Sequence, residues 1–198
     1  MIKLSPYNIP DKNLFESRKN SILVWQPDAV YVILGQRDKI KDAVLEEAIL
    51  KEKALVMQRP SGGHSVVLTP KTIVVSMVIY SDMLREIKQF FRDCNMKIIT
   101  ALQKQGVENL DIKGISDIVI KDRKIAGSSM YRAKDFLFFH AVLNISEKPE
   151  YISKFLKHPK TEPDYRQNRK HYEFITSVLE QGYKLDLEKL KIDIEKTN

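Results

Sequence analysis

Residues 115–132 read ISDIVIKDRKIAGSSMYR, and the way this stretch folds decides how the rest of the chain is organised. Ile118-Val119-Ile120 is an apolar run, Lys121-Asp122-Arg123 is a polar break, and Lys124-Ile125 resumes the chain after it. The pattern predicts a β-hairpin. Lys124 is the odd residue. An ammonium on a strand amid apolar neighbours must reach solvent or meet an anion, because burying it unpaired is expensive. Gly127 and the hydroxyls of Ser128 and Ser129 follow directly.

Upstream, Arg59-Pro60-Ser61-Gly62-Gly63-His64 leads into the apolar run Val66-Val67-Leu68. Paired glycines can adopt positive φ and bring a ligand close to bare backbone N–H groups, while Arg59 offers a forked donor to phosphate or carboxylate. The same residues also make an ordinary tight turn into a buried strand. The loop matches neither a P-loop, since no Gly-Lys-Ser/Thr follows, nor a dinucleotide fingerprint, whose second half is missing.

Around these two stretches, strands are expected at 21–25 and 30–34, paired about a Pro27-Asp28 turn with Gly35 closing the pair. Further strands are expected at 66–68, 73–80 and 136–145. Helical spacing appears at 39–53, through Ile40, Val44, Ala48 and Ile49. It is clearest at 82–105, where Leu84, Ile87, Phe91, Cys94, Ile98 and Leu102 share a face and Gly106 supplies the stop. The tail predicts helices near 149–157, 164–181 and 186–196. Strands and helices mix without a regular βαβ beat, which gives an α+β class: a mixed or antiparallel central sheet flanked by helices.

The bulk properties fit one globular domain spanning 1–198. Apolar residues make up 43% and charged residues 30%, the balance of an ordinary folded protein. No apolar segment approaches signal-peptide or membrane-span length, and the single Cys excludes an internal disulfide; a cytoplasmic, non-membrane protein is expected. The net charge of +7 is spread along the chain rather than gathered, and no nucleic-acid motif accompanies it. A lysine-rich solvated surface is the reading, with attraction to an acidic protein partner as the alternative.

Taken in order, RPSGGH (59–64), SDIVI (116–120), KIAGSS (124–129) and FHAVLNI (139–145) resemble the catalytic domain of the lipoate–protein ligase A family, within the wider biotin/lipoate ligase group. VWQPDAVYVILGQ (24–36) resembles that family's first paired strands, and EPDYRQNRKHYEFITSVL (162–179) its Arg-rich helix. The likeness covers roughly residues 20–180.

The resemblance implies an ATP- and Mg²⁺-dependent reaction. Lipoate, or a related acyl acid, becomes an acyl-adenylate, and the acyl group then passes to a lysine of an acceptor domain. That acceptor would be the lipoyl domain of a 2-oxoacid dehydrogenase or a glycine-cleavage H-type protein. It implies Lys124 as the catalytic cation and Asp117 as the acid associated with nucleotide and metal. Arg59, Ser61, Gly62, Gly63, His64, Gly127, Ser128 and His140 are implied to surround the adenylate and acyl chain, with Val66 and Ile118 lining an apolar slot.

The chain departs from the family pattern in several places: His64 for a third glycine, Leu68 for His, Ser116 for Asn, and Phe139-His140-Ala141 for His-His-Gly. The accessory C-terminal domain of longer ligases is not recognisable, so a separate accessory subunit is one expectation. Two alternatives stay open: an acyltransferase working without ATP, and a non-catalytic subunit that binds the acyl group or the acceptor domain. Cys94, on the apolar face of the long helix, packs as a small hydrophobe and is a poor candidate for thioester chemistry. His158 and His171 read as surface groups, and Arg166, Arg169 and Lys170 as a solvated helix face.

Overall fold

The computed structural model describes residues 2–16, 19–80, 87–159 and 161–196. The strands among the described residues are β1 (Ser21–Trp25), β2 (Tyr31–Leu34), β3 (Leu55–Gln58), β4 (Val66–Leu68), β5 (Thr72–Tyr80), β6 (Leu110–Lys113), β7 (Asp117–Ile120), β8 (Arg123–Arg132) and β9 (Phe136–Asn144). The helices are α1 (Ile40–Ala43), α2 (Glu46–Glu52), α3 (Ile87–Gln103), α4 (Pro149–Ser153), α5 (His171–Phe174) and α6 (Leu187–Lys196), with 3₁₀ segments at Pro10–Glu16 and Asp164–Arg166. Six strands form an antiparallel sheet in the order β1-β5-β9-β8-β7-β6, and three form a small mixed sheet in the order β3-β2-β4. The α+β class with a largely antiparallel sheet and flanking helices is therefore the observed one.

Strand alternation gives the large sheet two different faces. One face presents Ile73, Val75 and Met77 of β5, Phe139, Ala141 and Leu143 of β9, and Ile118 and Ile120 of β7. These pack on Phe90, Cys94, Ile98 and Leu102 of α3 and on Leu190 and Ile194 of α6. The other face carries two cross-strand rows set by the register. One runs Asp117–Gly127–Val142–Val74–Trp25, the next Ser129–His140–Ser76–Leu23. The small sheet lies over this second face, with Ile33, Met57 and Leu68 meeting Trp25 and Val74; the chain around α4 packs on the small sheet's opposite face, against Val32, Leu34 and Val56.

A bulge decides what Lys124 does. Ile118 pairs with Ala126, but Val119 pairs with Lys124, so Ile125 is an extra residue. Without it, residues three apart on a strand would point to opposite faces. With it, Lys124 and Gly127 share the face of Asp117.

Several sequence expectations are corrected here. The strands at 21–25 and 30–34 do not pair: β1 joins β5 in the large sheet, and β2 is the centre of the small one. Val32, Ile33 and Leu34 are consecutive and all buried, as suits a strand covered on both faces rather than a hairpin arm. The helix expected over 39–53 is broken, because Val44 bridges Leu156 and the Leu45 N–H donates to the Phe155 carbonyl. The helix expected over 164–181 reduces to a 3₁₀ turn and the single turn of α5. Gln167 and Asn168 take left-handed φ of 53° and 58°, and Ile175 bridges Lys124. The long helix is observed as α3, ending before Gly106 at φ 82°; the part assigned to Leu84 lies outside the described residues.

Candidate active site

Lys124 Nζ stands 2.8 Å from Asp117 Oδ1. Asp117 is buried and accepts hydrogen bonds from Ser116 Oγ at 3.2 Å and from the Tyr165 hydroxyl at 2.7 Å. Burial first, and the Asp117 charge next, hold the Tyr165 phenol well above its ordinary range, so it stays a donor. The Lys124 stem crosses Gly127: a Cβ there would lie 2.6 Å from Nζ and 2.7 Å from Cε. The bulge aims the lysine, the glycine makes room for it, and the carboxylate holds it.

The Arg59–His64 loop is held open by its own arginine. Arg59 Nε donates to Ser61 Oγ at 3.0 Å, Nη1 to the Ile33 carbonyl at 3.3 Å, and Nη2 to the carbonyls of Gly62 at 2.7 Å and His64 at 2.8 Å. The forked donor expected for a ligand is thus spent on the loop, and burial pulls the guanidinium down to about 10. Gly63 has φ 81°, where a side chain would be strained. A Cβ on Gly35 would fall 1.8 Å from the Gly63 carbonyl oxygen, so Gly35 is the seat on which the loop rests. Ser129 Oγ donates to the Gly62 carbonyl at 2.6 Å and ties the loop to β8. Ser128 instead donates to the Ser116 carbonyl at 2.7 Å and braces the turn before Asp117.

Behind the loop lies a buried polar chain. His140 Nε2 is 2.6 Å from Ser61 Oγ, and His140 Nδ1 is 3.6 Å from Asp11 Oδ2. Asp11 also accepts from the Tyr7 hydroxyl at 3.0 and 3.1 Å and from Ser76 Oγ at 3.2 Å. Burial keeps the His140 imidazole below its ordinary pKa and therefore neutral near pH 7. The order Ser–His–Asp is that of a nucleophilic triad. Ser61, however, is 1% exposed and receives the Arg59 N–H, so the constellation is a brace.

One cavity of about 850 Å³ joins these parts. Lys124, Asp117 and Gly127 stand along it with Gly63, His64 and His140. Val66, Leu68, Val74, Val142, Ile33 and Ile9 give it an apolar stretch. Val66 lies where the slot was expected; Ile118 does not, since it is fully buried on the helix-covered face. His64 is exposed, with Nε2 3.2 Å from Thr161 Oγ1. It rims the cavity and does not fill it. Cys94 lies across the sheet in the other core.

The segment expected to be a solvated helix face closes one end. Arg166 is buried against Phe174, its centre 4.8 Å from the ring, with Nη2 3.3 Å from both His158 Nδ1 and His171 Nδ1 and Nε 3.2 Å from Glu162 Oε2. Arg169 donates to the carbonyls of Arg166, Asp122 and Tyr165. Both arginines hold the segment's shape. His171 lines the cavity rather than the surface; burial and the nearby positive charges push its imidazole down to about 4.

A model of the lipoyl protein ligase A/B catalytic domain matches residues 11–197. The chain belongs to that family. It is 25% identical over 126 residues to a lipoate–protein ligase of Bacillus subtilis, covering 64% of this chain and 37% of that one. Against an inactive lipoate–protein ligase of Plasmodium falciparum it is 24% identical over 180 residues, covering 74% of this chain and 47% of the other. The lipoyl ligase domain here thus spans less than half the length of these two relatives. In fold it matches the bi-partite lipoate protein ligase of Thermoplasma acidophilum, solved in work on its lipoylation system with an E2 lipoyl domain. The TM-score is 0.79 at 18% identity, over 93% of this chain and 73% of that one. A lipoate–protein ligase A bound with ATP gives 0.78 at 18% identity, over 98% and 81%.

Of the residues singled out in sequence, Lys124, Asp117, Gly63, His64, Gly127, Ser128, Arg59 and His140 line the common cavity. Ser61 sits behind it. Asp11, Tyr7, Gly35 and Tyr165 were missed. Asp11 and Tyr7 lie in a segment without periodicity, and the importance of Gly35 depends on a loop distant in sequence.

Proposed function

We propose that this lipoyl ligase domain activates lipoate, or a related acyl acid, with ATP and transfers the acyl group to a lysine of an acceptor protein domain. The observation that carries the reading is the convergence of Lys124, held by Asp117 over Gly127, and Gly63 of the Arg59–His64 loop on one cavity with an apolar stretch. In the first step a carboxylate oxygen of the acyl acid attacks the α-phosphorus of ATP, and pyrophosphate leaves. In the second the amine of the acceptor lysine attacks the acyl carbonyl, AMP leaves, and the amine loses its proton. Charge builds on phosphate oxygens and then on the carbonyl oxygen. A fixed ammonium that need not reorganise stabilises both.

Asp117 has the role of orienting that ammonium. Among the described residues no group of three or more His, Cys, Asp or Glu could hold a metal ion, and the Asp117 oxygens already serve Lys124, Ser116 and Tyr165. These residues do not form an all-protein metal cage; Mg²⁺ enters this reading with the nucleotide, held through its phosphates, with Asp117 as the one carboxylate beside them.

The likeness to an ATP-bound ligase and to a ligase studied with a lipoyl domain supports ATP as co-substrate and a lipoyl domain as acceptor. By the same extension a separate accessory subunit assists the reaction. No helix among the described residues is long and apolar enough to cross a membrane, and a cytoplasmic site of action is part of the proposal.

Incubation with ATP, Mg²⁺ and lipoate, with hydroxylamine trapping of the acyl-adenylate, tests the reading. The wild type is expected to yield hydroxamate and Lys124→Ala none. Undiminished product from the folded variant would remove Lys124 from the chemistry. A second reading is favoured by the inactive relative: a domain that only transfers or binds. Product from lipoyl-AMP but none from lipoate plus ATP identifies transfer alone, and lipoyl-domain binding without product identifies a subunit.

A further inference from the structure

The glycine loop is not braced by β8 alone. We propose that Asp11, in the N-terminal 3₁₀ segment, is a positioning residue for the cavity: through His140 it fixes the tautomer by which Ser61 holds the loop in place. The inference rests on the ligase reading only for what the loop grips.

The chemistry follows from who can donate. Asp11 is fully buried. Ionised, it only accepts, and it takes donors from Tyr7 and Ser76 as well as facing His140 Nδ1 at 3.6 Å. A neutral imidazole has one donor and one acceptor nitrogen. With Nδ1 facing a carboxylate, Nδ1 carries the proton and Nε2 is the acceptor. Ser61 Oγ, at 2.6 Å, then donates to Nε2 while accepting from Arg59 Nε at 3.0 Å. Arg59 in turn fixes the carbonyls of Gly62 and His64. The opposite tautomer would aim an N–H at Ser61 Oγ, force the serine proton elsewhere, and leave Nδ1 as an acceptor against a carboxylate. An outer partner that sets the orientation of an inner histidine commonly controls its function in this way. Tyr7 and Asp11 also line the cavity, so the brace and the acyl stretch share a wall.

Two measurements on the full chain test this. Long-range ¹H–¹⁵N spectra of histidine-labelled protein report the tautomer of each of the four histidines, with His140→Gln giving the assignment. The expected result is Nδ1–H for His140 in wild type and in Asp11→Asn, whose side-chain oxygen still accepts, and loss of that state in Asp11→Ala. Calorimetric titration with lipoate reads the loop. Asp11→Ala is expected to weaken binding about 10- to 100-fold, the scale of a small misplacement in a binding site, with Asp11→Asn recovering most of it. Ser61→Ala is expected to match Asp11→Ala, and the double variant to be no weaker than either, because both act through one brace.

An Nδ1–H tautomer that survives Asp11→Ala, or one that is lost while lipoate affinity is kept, overturns the proposal. Additive losses in the double variant do the same. If Asp11→Ala does not fold, Ser61→Ala decides: unchanged affinity overturns the proposal. Wild type that binds no lipoate counts against the ligase reading, and the tautomer spectra then judge the brace alone.

Discussion

A Cβ placed on Gly127 would lie 2.6 Å from the ammonium of Lys124. The contact is with the far end of a flexible side chain, so an added methyl can be accommodated by moving the lysine rather than the backbone. Gly127→Ala is therefore expected to fold with a melting temperature close to wild type while Lys124 leaves Asp117. Acyl-adenylate formation should fall about 100-fold, as for loss of a preorganised charge. Unchanged turnover with an unchanged fold would mean that the lysine's position does not matter.

Gly35 gives the contrasting case. A methyl there meets the backbone oxygen of Gly63 at 1.8 Å, and no rotamer change relieves that. Gly35→Ala is expected to lower both stability and lipoate affinity, since the loop must lift from its seat. Thermal melting and calorimetry together check it; a variant with wild-type values in both would show that the loop is not seated on Gly35.

Tyr165→Phe removes one donor from Asp117 Oδ2 and keeps the ring that packs 5.2 Å from Phe174. A hydrogen bond to a charged acceptor contributes about 1.5–3 kcal/mol, and part of that falls on the orientation of the Asp117–Lys124 pair. The variant should stay folded, melt several degrees below wild type, and lose about 10-fold in adenylate formation. A loss confined to stability would make Tyr165 a packing residue only.

His171 carries a pH prediction. Its ordinary pKa is 6.5, and in the fold burial, helped by Arg166 and Lys124, lowers it to about 4. Between those values the unfolded chain holds a proton that the folded one does not. Stability therefore rises with pH across that window and is lost as pH falls from about 6.5 towards 4. Urea unfolding at pH 7, 6, 5 and 4.5 is expected to show the decline, with a shallower slope in His171→Asn. His140 is shifted in the same direction, so the slope should shrink and not vanish. An identical slope in the variant would place the proton uptake elsewhere.

Much of this architecture was legible where periodicity is strong. α3, β5, β9 and the β7–β8 hairpin follow from apolar rhythm and turn residues. The ordered motifs pointed to Lys124 and the glycine pair. What escaped was set by contacts between distant segments. β2 looks like a hairpin arm until the chain around it buries both its faces. The residues after Asp164 have helical composition, yet the pairing of Ile175 with Lys124 and the burial of Arg166 break the helix. Arg59 reads as a ligand donor because nothing local reveals that Ile33, Gly62 and His64 offer it carbonyls. Asp11 has no motif at all, and only the fold brings it beneath His140.

The most direct measurement is a crystal structure of the protein soaked with lipoate, ATP and Mg²⁺, or with a non-hydrolysable acyl-adenylate. The expected density lies between Gly63 and Lys124, with Nζ within about 3 Å, hydrogen-bonding distance, of the acyl carbonyl or phosphate oxygen and the acyl chain along Val74 and Val142. Ligand bound elsewhere, with Lys124 turned to solvent, would contradict the account.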